Sequence, residues 1–166
     1  EALDSAVLTG GYFATTTPPI RSVKLGIVIT HFNRKQYVLP AIKRICEELL
    51  NDPLYKEKIE LIVVDNSINI TLEEAEGVTL IPNKNLGGSG GFTCVLLHLK
   101  DEETFTHCLF MDDDASCEVE SIRRTVALLA YSQTSNFAVA GSMLRELEPH
   151  RLFEKGAKFD GACRPL

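Results

Sequence analysis

The feature that most constrains the fold is a set of apolar runs too continuous for half-exposed strands. Residues 23–30 (VKLGIVIT), 59–66 (IELIVVDN) and 107–112 (HCLFMD) are such runs. Strands of a parallel sheet that are covered on both faces have this pattern. A short run at 78–81 and another at 137–144 (FAVAGSML) predict two further strands.

Helical patterns fall between these runs. Apolar residues recur at helical spacing within 39–49, 92–99 and 119–129, and Ser116 is the predicted N-cap of the last helix. Parallel neighbours need crossover connections, so the alternation predicts an α/β fold with a mostly parallel sheet and helices on both faces. In such sheets, ligands bind beyond the carboxyl ends of the strands.

The start of the chain differs from the rest. Two consecutive prolines in TTTPPIRS (15–22) disfavour a helix and favour an extended connector. We therefore predict a linker over 1–22, with a strand before the connector that could be the last piece of a preceding domain. One domain is predicted over 23–166.

Composition narrows the class of protein. With 166 residues, of which 45% are hydrophobic, the chain can bury one sizeable core. Its net charge of -6 argues against nucleic acid as a partner. No apolar run reaches the roughly 18 residues needed to cross a bilayer, and the first residues lack the basic start of a secretory signal. These features predict a soluble chain in the cytoplasm.

The cysteines are predicted to be reduced and mostly buried. Their number is odd and no CxxC pair occurs, which argues against a disulfide framework and a zinc knuckle. The five are residues 46, 94, 108, 117 and 163. A soft-metal site is the alternative to core packing. Its ligands would be Cys94, His98, His107 and Cys108.

Three consecutive aspartates, Asp112, Asp113 and Asp114, follow the apolar run 107–111. Side chains alternate along an extended chain, so Asp112 and Asp114 should project to one side and share a cation. Their oxygens suit Mg²⁺ or Mn²⁺, which keep open positions for phosphates. Asp113 should point away and bond to backbone or to a sugar hydroxyl. The alternative is a solvated acidic turn that caps the next helix.

A glycine-rich segment, NKNLGGSGGF (83–92), precedes the second helical pattern. Glycine lets the backbone approach a ligand closely, and a helix N-terminus offers unpaired N–H groups to anions. The segment therefore suits a diphosphate or a ribose. It is not a Rossmann fingerprint, because Thr93 stands where the third glycine belongs. A mobile loop without a ligand is the alternative.

Two basic residues follow the first strand. Arg34 could pair with phosphate oxygens or be a solvated side chain, and both interpretations stay open. His31 is assigned no role, because a lone histidine in a polar loop is usually incidental.

Taken in order, four segments resemble the signature segments of family-two glycosyltransferases of the GT-A fold. They are THFNR (30–34), VVDNS (63–67), NLGGSGGF (85–92) and FMDDD (110–114). The glycine-rich segment followed by MDDD is most similar to the galactofuranosyltransferase branch, with rhamnosyltransferases as near neighbours. The resemblance spans roughly residues 20–145.

The resemblance implies a nucleotide-sugar-binding GT-A domain and gives roles to particular positions. The implied nucleotide-binding residues are Thr30, Arg34, Asp65, Asn85, Gly87, Gly88 and Asp112. The implied ligands of Mn²⁺ or Mg²⁺ are Asp112 and Asp114. Asp65 would accept from the uracil ring or hold the ribose. The ion would stabilise the departing nucleoside diphosphate.

The implied function is that of an inverting glycosyltransferase. It would move a sugar, galactofuranose being one option, from a UDP-type donor to a glycan or lipid-linked glycan in cell wall or surface polysaccharide synthesis. The family's general base lies in a later segment, and no residue here matches it. The catalytic base is therefore not identified, and we expect the donor-binding half of a longer enzyme, inactive alone if the base is missing. Peripheral association with the inner face of the membrane stays open.

Two other functions stay open. One is a non-catalytic nucleotide-sugar-binding or scaffolding domain. The other is a nucleotidyltransferase, which is less favoured because that class normally has a glycine-rich loop after the first strand, and THFNRKQ (30–36) has no glycine.

Overall fold

The computed structural model describes residues 7, 9–11, 14–136, 138–154, 156–159 and 161–165. Its first elements are β1 (Leu25–His31), α1 (Lys35–Ile45), β2 (Ile59–Asp65), β3 (Thr79–Pro82), α2 (Gly87–Asp101), β4 (His107–Asp112) and α3 (Val119–Tyr131). A π-helical turn, Cys46–Leu50, continues α1. Four further strands follow: β5 (Met143–Arg145), β6 (Glu148–Glu154), β7 (Ala157–Phe159) and β8 (Cys163–Pro165).

The first four strands form one parallel sheet in the order β3-β2-β1-β4. Its register places His31 beside Asp65 and Thr30 beside Asp112. Asp65 in turn lies beside Pro82 of β3. The polar ends of three strands are therefore aligned at one edge of the sheet, and the predicted parallel sheet is confirmed.

The sheet is covered on both faces, as the continuous apolar runs predict. On one face, alternate residues of β1 and β2 pack against α1 and α3, with Ile27 and Ile29 fully buried. On the other face, Val28 and its neighbours on β2 pack against Val95 of α2. Full burial of an aliphatic side chain of this size stabilises the fold by about 1.5–3 kcal/mol.

The predicted fifth strand is wrong. Residues 138–142 are exposed and form no strand, and residue 137 lies outside the described part of the chain. Met143–Arg145 instead pairs antiparallel with Glu148–Glu154. An apolar run indicates burial but does not indicate which strand pairs with it. Here the end of the run pairs with the segment that follows it in the chain, and not with the main sheet. Among the described residues, β4 pairs with β1 alone in the main sheet.

The predicted linker contacts the end of α3. The backbone N–H groups of Ile20 and Arg21 donate to the carbonyl of Ala130 (2.9 and 3.2 Å), and the Tyr131 hydroxyl donates to the carbonyl of Thr17. These bonds satisfy a carbonyl that a helix end leaves unpaired. The strand predicted before the connector falls mostly on residues that lie outside the described ones.

Two smaller observations complete the fold. The N-cap of α3 is Glu118 and not the predicted Ser116, and it makes no side-chain cap bond. Within the part of the chain that the structure describes, no helix has the length and apolarity needed to cross a membrane.

Candidate functional site

The order in which the chain adds strands to the sheet reverses between β1 and β4. From β1 the chain moves to β2 and β3 on one side, and it returns through α2 to β4 on the other. Beyond the carboxyl ends of strands, such a reversal leaves a crevice in which ligands bind. Thr30, next to the last residue of β1, is paired in register with Asp112, the last residue of β4. Both side chains project to the face of the sheet that α2 covers.

The glycines of the glycine-rich segment lie at the start of α2, and its residues 83–86 form a short loop before the helix. The helix starts at Gly87, whose φ of 74° few other residues adopt. The side chain of Asn85 accepts a hydrogen bond from the N–H of Gly87 (3.0 Å) and shapes this turn. A Cβ at Gly87 or Gly88 would meet nothing within 4 Å, so the first helical turn borders open space.

Gly91 brings α2 into contact with the end of β1. A Cβ at this buried position would lie 3.0 Å from Thr30 Oγ1 and 3.2 Å from Asn66 Nδ2, and closer still to Thr30 Cγ2. Thr30 Oγ1 is buried, and within the described residues it has no hydrogen-bond partner. The helix start therefore lies directly over the crevice, beside a polar atom without a partner.

The acidic turn has one aspartate inside and two outside. Asp113 is 8% exposed, and it accepts a hydrogen bond from the backbone N–H of Phe32 (3.0 Å). Asp112 and Asp114 are exposed. The backbone bond of Asp113 was one of its two expected contacts.

Arg34 lies against the acidic turn. Its Nη1 is 3.4 Å from Asp113 Oδ1, and it also pairs with Asp114 Oδ2. About half of the Arg34 and Asp114 side chains is exposed. Ion pairs with this exposure contribute about 0–1 kcal/mol, so a phosphate or a metal can replace either partner.

Asp65 has a structural task in this conformation. Its carboxylate is 1% exposed and accepts four backbone N–H groups of residues 67–70 at 2.8–2.9 Å. These bonds hold Ile68 at a φ of 53°, which is uncommon for a β-branched residue. A contact of Asp65 with a nucleotide stays a prediction, and it would require the carboxylate to share its oxygens with this loop.

Sequence reasoning missed His31. The side chain is fully buried between the loop after β2, through Asn69, and the acidic turn, through Asp113. Its place directly after the apolar run 23–30, at the end of a predicted strand, was the available signal.

The donor atoms at the acidic turn fit a hard divalent cation. Asp112 and Asp114 offer exposed carboxylate oxygens, the ligands that Mg²⁺ and Mn²⁺ prefer while they keep water and phosphate oxygens. Among the described residues, no group of three His, Cys, Asp or Glu side chains could hold a metal alone. The turn alone therefore offers an ion only part of a coordination shell, and a diphosphate would have to complete more of it.

The soft-metal alternative is not supported, because the described residues hold no group of three His, Cys, Asp or Glu side chains around one point. Cys46, Cys94, Cys108 and Cys117 are free thiols and half-buried rather than mostly buried. Burial raises the pKa of Cys46, Cys108 and Cys117 above the ordinary value. These thiols are therefore poor thiolate ligands at neutral pH.

Comparisons with known proteins place this geometry in a family. Residues 26–153 match the family described as Glycosyl transferase family 2. The chain is 28% identical over 170 residues to the galactofuranosyltransferase GlfT2 of Mycobacterium tuberculosis, covering 95% of this chain and 26% of that protein. It is 29% identical to GlfT2 of Mycolicibacterium smegmatis, covering 94% of this chain and 25% of that protein. The chain thus spans about a quarter of the length of these relatives.

A solved structure shows the fold. The crystal structure of S. aureus TarS 1–349 superposes with a TM-score of 0.53 at 20% identity, covering 75% of this chain and 40% of that one. Together with the parallel sheet, this likeness confirms the predicted GT-A-like α/β fold.

Proposed function

Because the chain belongs to glycosyl transferase family 2, we propose that it is the donor-binding part of an inverting glycosyltransferase that uses a nucleoside diphosphate sugar and a divalent cation. The observation that carries the proposal is the crevice between β1 and β4. There the exposed carboxylate of Asp112 lies on the same face as the glycine-rich start of α2 and as the Thr30 hydroxyl, which has no hydrogen-bond partner among the described residues.

This arrangement suits a diphosphate in two respects. The N–H groups of the first turn of α2 have no partner within the helix, although Gly87 donates to Asn85, and open space beside Gly87 and Gly88 lets phosphate oxygens approach the backbone. Arg34 is half-exposed, and it can leave Asp114 for a phosphate oxygen at little cost.

Asp112 and Asp114 would hold the cation, Mn²⁺ or Mg²⁺. The ion, when bound, neutralises negative charge that develops on the leaving diphosphate. The residues of the chain bind and orient the donor: the α2 N-terminus and Arg34 address the phosphates, while Asn85 keeps the helix start in shape. No residue is assigned as the base that accepts the acceptor's proton.

The relatives suggest the substrate class. Both are named as galactofuranosyltransferases, so we propose UDP-galactofuranose as the first donor to test and a glycan as acceptor. A nucleotidyltransferase has lost its support, because the family match covers the whole sheet.

Calorimetric titration of UDP, with and without Mn²⁺, tests the proposal. We expect binding that requires Mn²⁺ and that Asp112→Asn and Asp114→Asn each weaken at least about tenfold. Asp101→Asn removes the same charge at the other end of α2 and should leave binding unchanged. Mn²⁺-dependent UDP binding that neither substitution in the turn affects would contradict the assignment.

A second assay separates an enzyme from a binding or scaffolding domain. If the domain is catalytic, UDP-galactofuranose should release UDP in the presence of an acceptor glycan when the full-length protein is tested. Tight UDP binding without any UDP release would favour the non-catalytic alternative.

A further inference from the structure

His31 connects the two sides of the proposed site from beneath. It ends β1 and is fully buried. Its Nε2 lies within hydrogen-bond distance of Asn69 Oδ1 (3.0 Å) in the loop after β2. Its Nδ1 lies 3.4 Å from Asp113 Oδ2 and makes no hydrogen bond within the described residues. The ring therefore spans from one strand-end loop to the acidic turn.

Asp113 depends on these neighbours. A carboxylate that is 8% exposed needs donors or positive charge around it, because it has lost most of its water. All the partners found for its oxygens come from residues 31–34: the His31 ring, the Phe32 N–H and the Arg34 guanidinium. The segment after β1 thus holds the inner side of the acidic turn.

The outer side of the turn carries the proposed metal ligands. Asp112 and Asp114 flank Asp113 and are exposed, so little packing around their own side chains fixes them. Two carboxylates share a cation only while the backbone between them keeps one conformation. Of the groups that hold Asp113, the His31 ring is the fully buried one and has the least freedom to move.

We infer that His31 is a positioning residue: through Asp113 it keeps the turn in the conformation in which Asp112 and Asp114 face the same divalent cation. This inference rests on the proposed function and adds a residue for which the sequence indicated no role. The contact of Nδ1 with Asp113 supports metal binding. The contact of Nε2 with Asn69 stabilises only the loop after β2.

Two substitutions separate the two ring nitrogens. The side-chain amide of asparagine can take the place of Nδ1, and the longer glutamine can reach the place of Nε2. His31→Asn therefore places an amide N–H beside Asp113, and His31→Gln places one beside Asn69. Both remove the buried ring, so a role in stability alone would change both variants in the same way.

The experiment measures Mn²⁺ affinity in the presence of UDP, with urea unfolding of each variant as the check of folding. We expect both variants to be less stable than the unsubstituted chain, while His31→Gln alone binds Mn²⁺ about tenfold more weakly. If His31→Gln does not fold, Asp113→Asn replaces it. That variant keeps an acceptor for the Phe32 N–H, removes the charge that faces both His31 and Arg34, and should show at least the same loss.

The results overturn the inference in different ways. Folded His31→Gln, or Asp113→Asn in its place, with unchanged Mn²⁺ affinity would leave the proposed function standing and refute the role of His31. Equal losses in His31→Asn and His31→Gln would show a role in stability only. An unsubstituted chain that binds no Mn²⁺ with UDP would refute the proposed function and this inference together.

Discussion

Replacing Gly91 with alanine tests whether α2 lies directly on the end of β1. The new Cβ would be 3.0 Å from Thr30 Oγ1 and would overlap Thr30 Cγ2, and Thr30 belongs to an inner strand of the sheet. Either the helix or the strand must therefore shift. Inserting a methyl group into packing this tight costs about 1–3 kcal/mol.

Gly88→Ala is the matched control. Its Cβ would meet nothing within 4 Å, and both positions lie in α2. Both substitutions gain helix propensity, about 1 kcal/mol in a helix interior. The difference between the two variants therefore isolates the overlap at Gly91, and we expect Gly91→Ala to be less stable than Gly88→Ala by about 1–3 kcal/mol.

Urea unfolding followed by circular dichroism measures this difference. In a chain of this size, each kcal/mol corresponds to about 2–4 °C in the melting temperature, which gives a second readout. UDP titration adds a contrast, since Gly88→Ala should weaken nucleotide binding without loss of stability. Equal stability of the two variants would refute the close contact of α2 with β1.

Three further predictions concern the loops and thiols around the site. Asp65→Asn should lower the free energy of unfolding in urea by about 2–4 kcal/mol, because an amide NH₂ would face backbone N–H groups that now donate to the carboxylate. Asn33 has a φ of 56°, so Asn33→Val should cost about 1–2 kcal/mol whereas Asn33→Gly should be nearly neutral; equal losses would contradict the strain argument. Burial raises the pKa of Cys46 and Cys117, so iodoacetamide should modify them slowly at pH 7 and faster as the pH rises. In the unfolded chain they should react at the rate of an exposed thiol, and an equal rate in the folded chain would contradict the prediction.

The sheet and one part of the site could be predicted from local patterns. Continuous β-branched runs indicate strands covered on both faces, and the carboxyl ends of parallel strands share an edge. These two rules suffice to bring Thr30 near Asp112. The alternation of side chains likewise separates Asp113 from its two neighbours.

Other features depend on how distant segments meet. The contact of His31 with Asp113 joins the end of β1 to the turn after β4, and nothing in the local sequence of either segment indicates that these two side chains meet. The loop built by Asp65 requires a positive φ at Ile68, a conformation that the residue's own preference opposes. The run at 137–144 indicates a strand, but its partner is decided by a hairpin further along the chain.

A crystal structure of the chain with UDP and Mn²⁺ tests the central claim most directly. Anomalous scattering at the manganese edge locates the ion without ambiguity. We predict a peak at the oxygens of Asp112 and Asp114, with the diphosphate between the ion and the first turn of α2. Bound UDP at another part of the chain, with no manganese peak at the acidic turn, would contradict the account.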